Sequence, residues 1–350
     1  MKAALWYDAK DIRVEQITEP IVDKDQVKIK VEYCGICGSD LHEYAAGPIF
    51  IPVGEPHPIS NDKAPIVMGH EYAGEVVEIG ANVTDISIGD RVCVEPIYNC
   101  GKCASCLKGH YNVCEQLGFI GLSGGFGGFS EYSVLPSKMV HKIPENMTWE
   151  QAALVEPTAV AVHAVRQSEL RIGDSVAVFG TGPIGLLVIQ AAKAAGASRI
   201  IAVEVSPERR EIAKQLGADV IINPIEVNPV EAIKQITNGL GVDVAFEVAG
   251  IEVTINTAIE STRSEGNVVN ISIWEKPASI PMNNFILTER KMTSIIAYRN
   301  IFPQVIQLIA NGRIQAAELI TKKISLENIV SEGFEALIKN KAQIKILVKP

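Results

Sequence analysis

Between about Asp174 and Ala297 the sequence repeats one pattern: an apolar run, a glycine-marked turn or helical stretch, then another apolar run. Six such runs stand out, at Ser175–Phe179, Arg199–Glu204, Val220–Ile222, Val242–Glu247, Asn267–Ile271 and Met292–Ala297. Strands alternating with helical patterns in this way predict an α/β domain built on a doubly wound parallel sheet. The stretch Ser175–Ala192 carries no charge and has the length of a membrane span, but Gly180, Gly182, Pro183 and Gly185 break its first half. It reads as a strand, a tight turn and a helix, with no membrane segment.

Within that stretch Gly180, Gly182 and Gly185 stand in the order G-x-G-x-x-G, directly after an apolar strand and at the start of a helix. The first glycine permits the turn, the second lets a pyrophosphate approach the backbone, and the third lets helix and strand pack. Gly180, Gly182, Pro183, Ile184 and Gly185 are therefore expected to face a dinucleotide, whose phosphates the helix N-terminus attracts. A glycine triplet alone is weak, often a mere strand-to-helix turn, and its context strengthens it. Glu204 ends the next strand about 20 residues on, where an acid accepts bonds from the adenosine ribose and repels a 2′-phosphate. NAD is expected over NADP. Arg209 and Arg210 leave the alternative open, since turned inward they would hold a phosphate.

Cys100, Cys103, Cys106 and Cys114 form C-x2-C-x2-C-x7-C. Four thiolates this close match a closed tetrahedral zinc site, with Zn–S bonds of about 2.3 Å and no position left for substrate. An iron–sulfur cluster and four unligated thiols are the weaker alternatives. A closed site holds structure, and zinc-finger peptides gain roughly 10–16 kcal/mol from one. A second group of ligand types is dispersed: Cys37 in CGICGSDLH, the His70-Glu71 pair in MGHEYAG, and Glu156 in LVEPTAV. Each alone reads as packing or turn material. Together, three ligands from separate loops suggest an open, catalytic zinc.

The motifs around Cys37 and Gly69, the four-cysteine lobe and the later glycine triplet, in this order over the whole chain, resemble the zinc-containing medium-chain dehydrogenase/reductase family. The resemblance implies a GroES-like, all-β catalytic domain over residues 1–154, with the structural zinc lobe at about 95–116. A Rossmann NAD-binding domain over 155–297 and a segment 298–350 that rejoins the first domain complete it, with a cleft between the domains. Where the alcohol dehydrogenases place a second ligating cysteine, Val155-Glu156-Pro157 offers a carboxylate, as in the polyol branch. Cys37, His70 and Glu156 are then the inner zinc ligands, with Glu71 beside them or exchanging with Glu156. Ser39 is expected to take the alcohol proton and pass it outward through the cofactor ribose and His42, and Arg299 to stand near the cofactor. Without the resemblance, Ser39 reads as a turn residue, His42 as a surface histidine and Arg299 as a surface arginine. Phe119, Ile120, Ile273 and Trp274 are expected to wall the pocket, and the glycines of SGGFGG to give a mobile loop.

Within the polyol branch, EYAAGPIFIP, GFIGLSGGFGGFSEY, SIWEK and YRNIFP resemble the bacterial enzymes that interconvert 2,3-butanediol and acetoin. Small diols and hydroxyketones, including acetoin and diacetyl, are the expected substrates. A sorbitol-type polyol or threonine dehydrogenase is the nearest rival, and a zinc-free quinone reductase a further one. A zinc-binding interaction module with an inactive nucleotide domain is the remote rival. A net charge of −9 opposes phosphate-backbone binding, so no nucleic acid partner is expected. The N-terminus lacks a secretory apolar core, and seven cysteines fit thiols and ligands in a reducing cytoplasm. Two zinc ions per subunit and a homo-oligomer, dimer or tetramer, follow from the resemblance.

Overall fold

Six parallel strands make the nucleotide-type sheet, in the spatial order Val220–Ile222, Arg199–Val203, Ser175–Phe179, Val242–Glu247, Thr262–Asn270, Lys291–Ser294. The first strand in sequence sits in the middle, and the chain reverses direction across the sheet between it and Val242–Glu247. Such a switch point is where open α/β sheets bind ligands, outside the carboxyl ends of the strands. Helices Pro183–Ala194, Pro207–Gln215 and Pro229–Ile236 each start with proline, whose fixed φ suits the first turn and whose missing N–H costs nothing there. Ser206 and Asn228 cap two of them by accepting backbone N–H groups.

Two strand boundaries differ from expectation by more than one residue. The fifth strand begins at Thr262, because TRSEG pairs through a register shift that carries it from Thr262 opposite Val242 to Asn267 opposite Val244. Those residues are polar and gave no apolar run. The last strand stops at Ser294, opposite Asn270 where its neighbour ends, and Ala297 has a left-handed φ of 47° that no strand accommodates.

The computed structural model describes residues 1–350. This sheet belongs to a unit formed by Pro157–Ile301 and Asn311–Gln315, and the rest of the chain forms a second unit. There the long strand Gln26–Gly35 is central. It pairs antiparallel with Glu71–Ile79 along its length, and on its other edge with Tyr132–Pro136 and then Lys345–Lys349. Val27, Ile29, Val76, Val92 and Ile346 fill the core of this unit, each contributing roughly 1.5–3 kcal/mol on burial. Register then decides which polar residues meet. Gly35 lies opposite Glu71 on one side and Leu347 on the other, so Cys37, Glu71 and Lys345 arrive at one strand end. Nothing in the chain is a helix long and apolar enough to cross a membrane.

Candidate active site

Cys37 caps the helix Gly38–Ala46, and Asp40, in its first turn, accepts the Cys37 N–H on Oδ2 at 2.9 Å. The other oxygen of Asp40 faces His70 Nδ1 at 3.4 Å, an ion-pair distance without hydrogen-bond geometry, and both atoms are buried with no other partner. One wholly buried carboxylate thus orients both Cys37 and His70. On the far side of the imidazole, Nε2 lies 3.3 Å from Ser39 Oγ.

One ligand atom each of Cys37, His70 and Glu71 lie within 4.8 Å of one another. Atoms held about 2.0–2.3 Å from a shared zinc are separated by at most about 4.6 Å, so the trio is nearly closed around such an ion. The field agrees: burial would lower the His70 pKa, but Asp40 and Cys37 outweigh it and hold the pKa well up. Surroundings that hold a proton on a buried imidazole also favour a cation beside it. The donor set fits zinc. Glu156 is buried but lies outside this trio. Glu71 has a second engagement, since Lys345 Nζ donates to both its oxygens, at 2.8 and 2.6 Å, and to the Ile36 carbonyl at 3.0 Å. Burial would lower the Lys345 pKa, yet Glu71 and Cys37 raise it, so the ammonium stays charged. Asp40 and Lys345 were not singled out in the sequence. Asp40 lay inside the quoted CGSD motif, whereas Lys345, 274 residues from Glu71, gave no signal.

The four cysteines of the lobe also meet, with their sulfurs within 4.8 Å of one another. Backbone N–H groups point at them, Cys103 N to Cys100 Sγ at 3.3 Å and Cys100 N to Cys114 Sγ at 3.2 Å. The Glu115 and Cys106 N–H groups pull the Cys103 thiol down to about 6, while burial and neighbouring sulfurs push Cys106 up. The first thiolates form readily and the last only against a neutralising cation, which suits a dication in the middle.

In the other unit, Gly180 has φ +96°, and a Cβ on Gly185 would overlap the Gly180 carbonyl, so this strand–turn–helix needs both glycines. Gly182 caps the helix and Pro183 and Ile184 open it. Glu204, buried, accepts from Thr181 N at 2.8 Å, Thr181 Oγ1 at 3.0 Å and Ser206 N at 2.9 Å, which places its carboxylate against the glycine turn. Thr181 was not foreseen as its partner. The Arg209 guanidinium comes within 3.8 Å of where a Cβ on Gly182 would sit, and Arg210 is spent on the Glu204 and Val205 carbonyls. Arg299 lies beside His163, which burial and the charges of Arg299 and Arg166 hold neutral, with its pKa down to about 4.

The SGGFGG segment is tied down rather than loose: Ser60 Oγ donates to the Ser123 carbonyl, Gly125 N to Asp62 and Gly128 N to Gly69 O. Ile120 is wholly buried in its own unit and so is no open wall, and Trp274, half-buried, packs one face against the sheet core of the other. Phe119 is buried at 7% exposure against Phe50, and Ile273 is exposed.

Two family models match this chain: an alcohol dehydrogenase GroES-like domain over residues 23–145 and a zinc-binding dehydrogenase over residues 183–311. It is 54% identical, over the full length of both chains, to the (R,R)-butanediol dehydrogenase of Bacillus subtilis. The sorbitol dehydrogenase of the same organism is 37% identical over all of this chain and 97% of the relative. The crystal structure of 2R,3R-butanediol dehydrogenase from Bacillus subtilis superimposes with a TM-score of 0.94, covering 100% of this chain and 99% of that one.

Proposed function

The chain belongs to the zinc-binding alcohol dehydrogenase family, and on that premise we propose that it oxidises (R,R)-2,3-butanediol to acetoin with NAD, reversibly. The observation that carries the reading is the Cys37–His70–Glu71 trio, half-buried at Cys37 and buried at His70 and Glu71, with Ser39 Oγ 3.3 Å from His70 Nε2. When bound, zinc supplies Lewis-acid polarisation of the alcohol oxygen, and the nicotinamide accepts the hydride.

The chain's own residues do the rest. Cys37 and His70 would hold the ion, with Glu156, or Glu71 in exchange with it, as third ligand. Glu71, whose two oxygens Lys345 occupies, stands by as its exchange partner. Asp40 fixes both Cys37 and His70, and supporting carboxylates of this kind are worth about 10–100-fold in metal affinity or activity. Ser39 Oγ takes the hydroxyl proton and passes it toward His42, one turn on along the same helix, and so to solvent. Atoms balance: the carbon gives up a hydride, the oxygen a proton, and a ketone remains. Cys100, Cys103, Cys106 and Cys114 hold a second, structural zinc. Cys103→Ser is expected to lower the zinc content from two to one per chain and to speed tryptic cleavage within the lobe, with the diol kcat largely kept. Unchanged zinc content would refute the second site.

Gly180, Gly182, Pro183, Ile184 and Gly185 carry the pyrophosphate, with Arg209 over the turn and Arg299 nearby. Glu204, buried and held by three donors, bonds the adenosine ribose and repels a 2′-phosphate. Hydrogen bonds to a charged group contribute about 1.5–3 kcal/mol, so Glu204→Gln is expected to raise the NAD KM by about tenfold and to narrow the preference for NAD over NADP. An unchanged preference, measured by kcat/KM with each cofactor, would show that Glu204 does not read the ribose.

The outer edge of Lys291–Ser294 ends the sheet with Met292 half exposed. An open sheet edge invites pairing with a second copy, and a homodimer, or a tetramer of such dimers, would cover it. All seven cysteines are free of disulfides, which supports a cytoplasmic location. The test is a substrate panel of (R,R)-2,3-butanediol, its (S,S) isomer, sorbitol and threonine with NAD. The (R,R) diol is expected to give the highest kcat/KM, and a higher value for sorbitol or threonine would move the enzyme elsewhere in its branch.

A further inference from the structure

Glu43 is wholly buried, one turn beyond Ser39 and Asp40 on the helix Gly38–Ala46, and the mechanism leaves it unused. Its Oε2 accepts the Ile49 N–H at 2.9 Å, and its Oε1 accepts the Phe50 N–H and, at 3.2 Å, the Ile51 N–H. A buried carboxylate is expensive unless donors surround it, and three successive backbone N–H groups of a non-helical segment are what an apolar residue here would leave unsatisfied.

The segment so held presents Phe50, whose ring meets Phe119 edge-on with centroids 6.0 Å apart. Ser123 ties the two together, accepting the Phe119 N–H at 3.2 Å and donating to the Phe50 carbonyl at 3.5 Å. The turn carrying Phe119 and Ser123 leans in its turn on Gly69, the neighbour of His70. Gly121 has φ +82°, and a Cβ there would overlap the Gly69 carbonyl. Phe50 is therefore fixed relative to the metal-ligand trio from two sides, through the helix that begins at Cys37 and through the turn that backs onto His70.

We infer that Glu43 is a positioning residue for substrate discrimination: by pinning Gly47–Ile51 it holds Phe50 as the apolar wall that favours a short diol over a long polyol. The inference rests on the diol reading for its choice of substrates. Glu43→Gln keeps the volume but sets an amide NH2 against at least one of the three donors. The expected result is a tenfold rise in KM for (R,R)-2,3-butanediol, with kcat and the NAD KM within twofold of wild type. Sorbitol kcat/KM is expected not to fall, so discrimination narrows tenfold. Phe50→Ala is expected to narrow it equally, and the double variant no further. Equal losses on both substrates, a fall in kcat alone, or additive effects would overturn the inference. Should Glu43→Gln not fold, an unchanged ratio in Phe50→Ala would overturn it as well. If wild type prefers another alcohol to the diol, the diol reading fails first. The same ratio is then taken between the shortest and longest alcohols it oxidises, and its constancy in the variants overturns the inference separately.

Discussion

His70→Ala is expected to lower kcat/KM for the diol on the order of 10³–10⁴-fold while leaving NADH binding within about threefold. The loss follows from what His70 touches. It supplies a buried ligand atom within 4.8 Å of those of Cys37 and Glu71, and Lewis-acid stabilisation of several kcal/mol at about 1.36 kcal/mol per tenfold gives that range. Its removal also strands Asp40, a wholly buried carboxylate whose Oδ1 already has no other partner. The glycine turn and Glu204 lie in the other unit of the chain, and their hydrogen bonds involve none of these residues. Single-turnover assays, NADH fluorescence titration and zinc analysis separate the effects. One zinc per chain should remain, in the four-cysteine lobe. An active His70→Ala enzyme with two zinc ions would mean that the ligand set is misassigned.

Lys345→Met is expected to give the largest loss of stability. Lys345 and Glu71 are buried together, with side-chain exposures of 2% and 0%. Replacing both ions with apolar residues is often tolerated, but removing one leaves an uncompensated charge and costs about 3–5 kcal/mol. At about 2–4 °C per kcal/mol for a unit of this size, the melting temperature of the unit containing Glu71 should fall by roughly 6–20 °C. The Ile36 carbonyl loses its donor too. The double variant Glu71→Met, Lys345→Met should recover most of the loss, though not the activity if Glu71 serves the metal centre. A single variant within about 1 kcal/mol of wild type by denaturant titration would show that Glu71 finds another partner.

The nucleotide unit was largely legible because its signals are local. The runs Ser175–Phe179, Val220–Ile222 and Val242–Glu247 became strands with the boundaries expected of them. The turn at Gly180 follows from short-range sterics, and Thr262–Gly266 was missed because a register shift, not an apolar pattern, recruits it. Ligand types at Cys37 and His70 were legible because few other reasons bring those residues to glycine-rich loops. The groups that orient them were not. Lys345 reaches Glu71 through antiparallel pairing of Leu347 with Gly35, a contact across nearly the whole chain that no local pattern encodes. Glu43 gave no signal of its own in sequence, and only the path of Gly47–Ile51 beneath it explains its burial. The mobility expected of SGGFGG rested on glycine entropy, but hydrogen bonds from Gly125 to Asp62 and from Gly128 to Gly69 outweigh it.

The most direct test of the account is NADH formation from NAD and (R,R)-2,3-butanediol before chelation, after it, and after zinc is restored. The account predicts preferential oxidation of this diol that a chelator abolishes and zinc recovers, with zinc content tracking the rate. Full activity in protein stripped of the metal at Cys37 and His70 would contradict it.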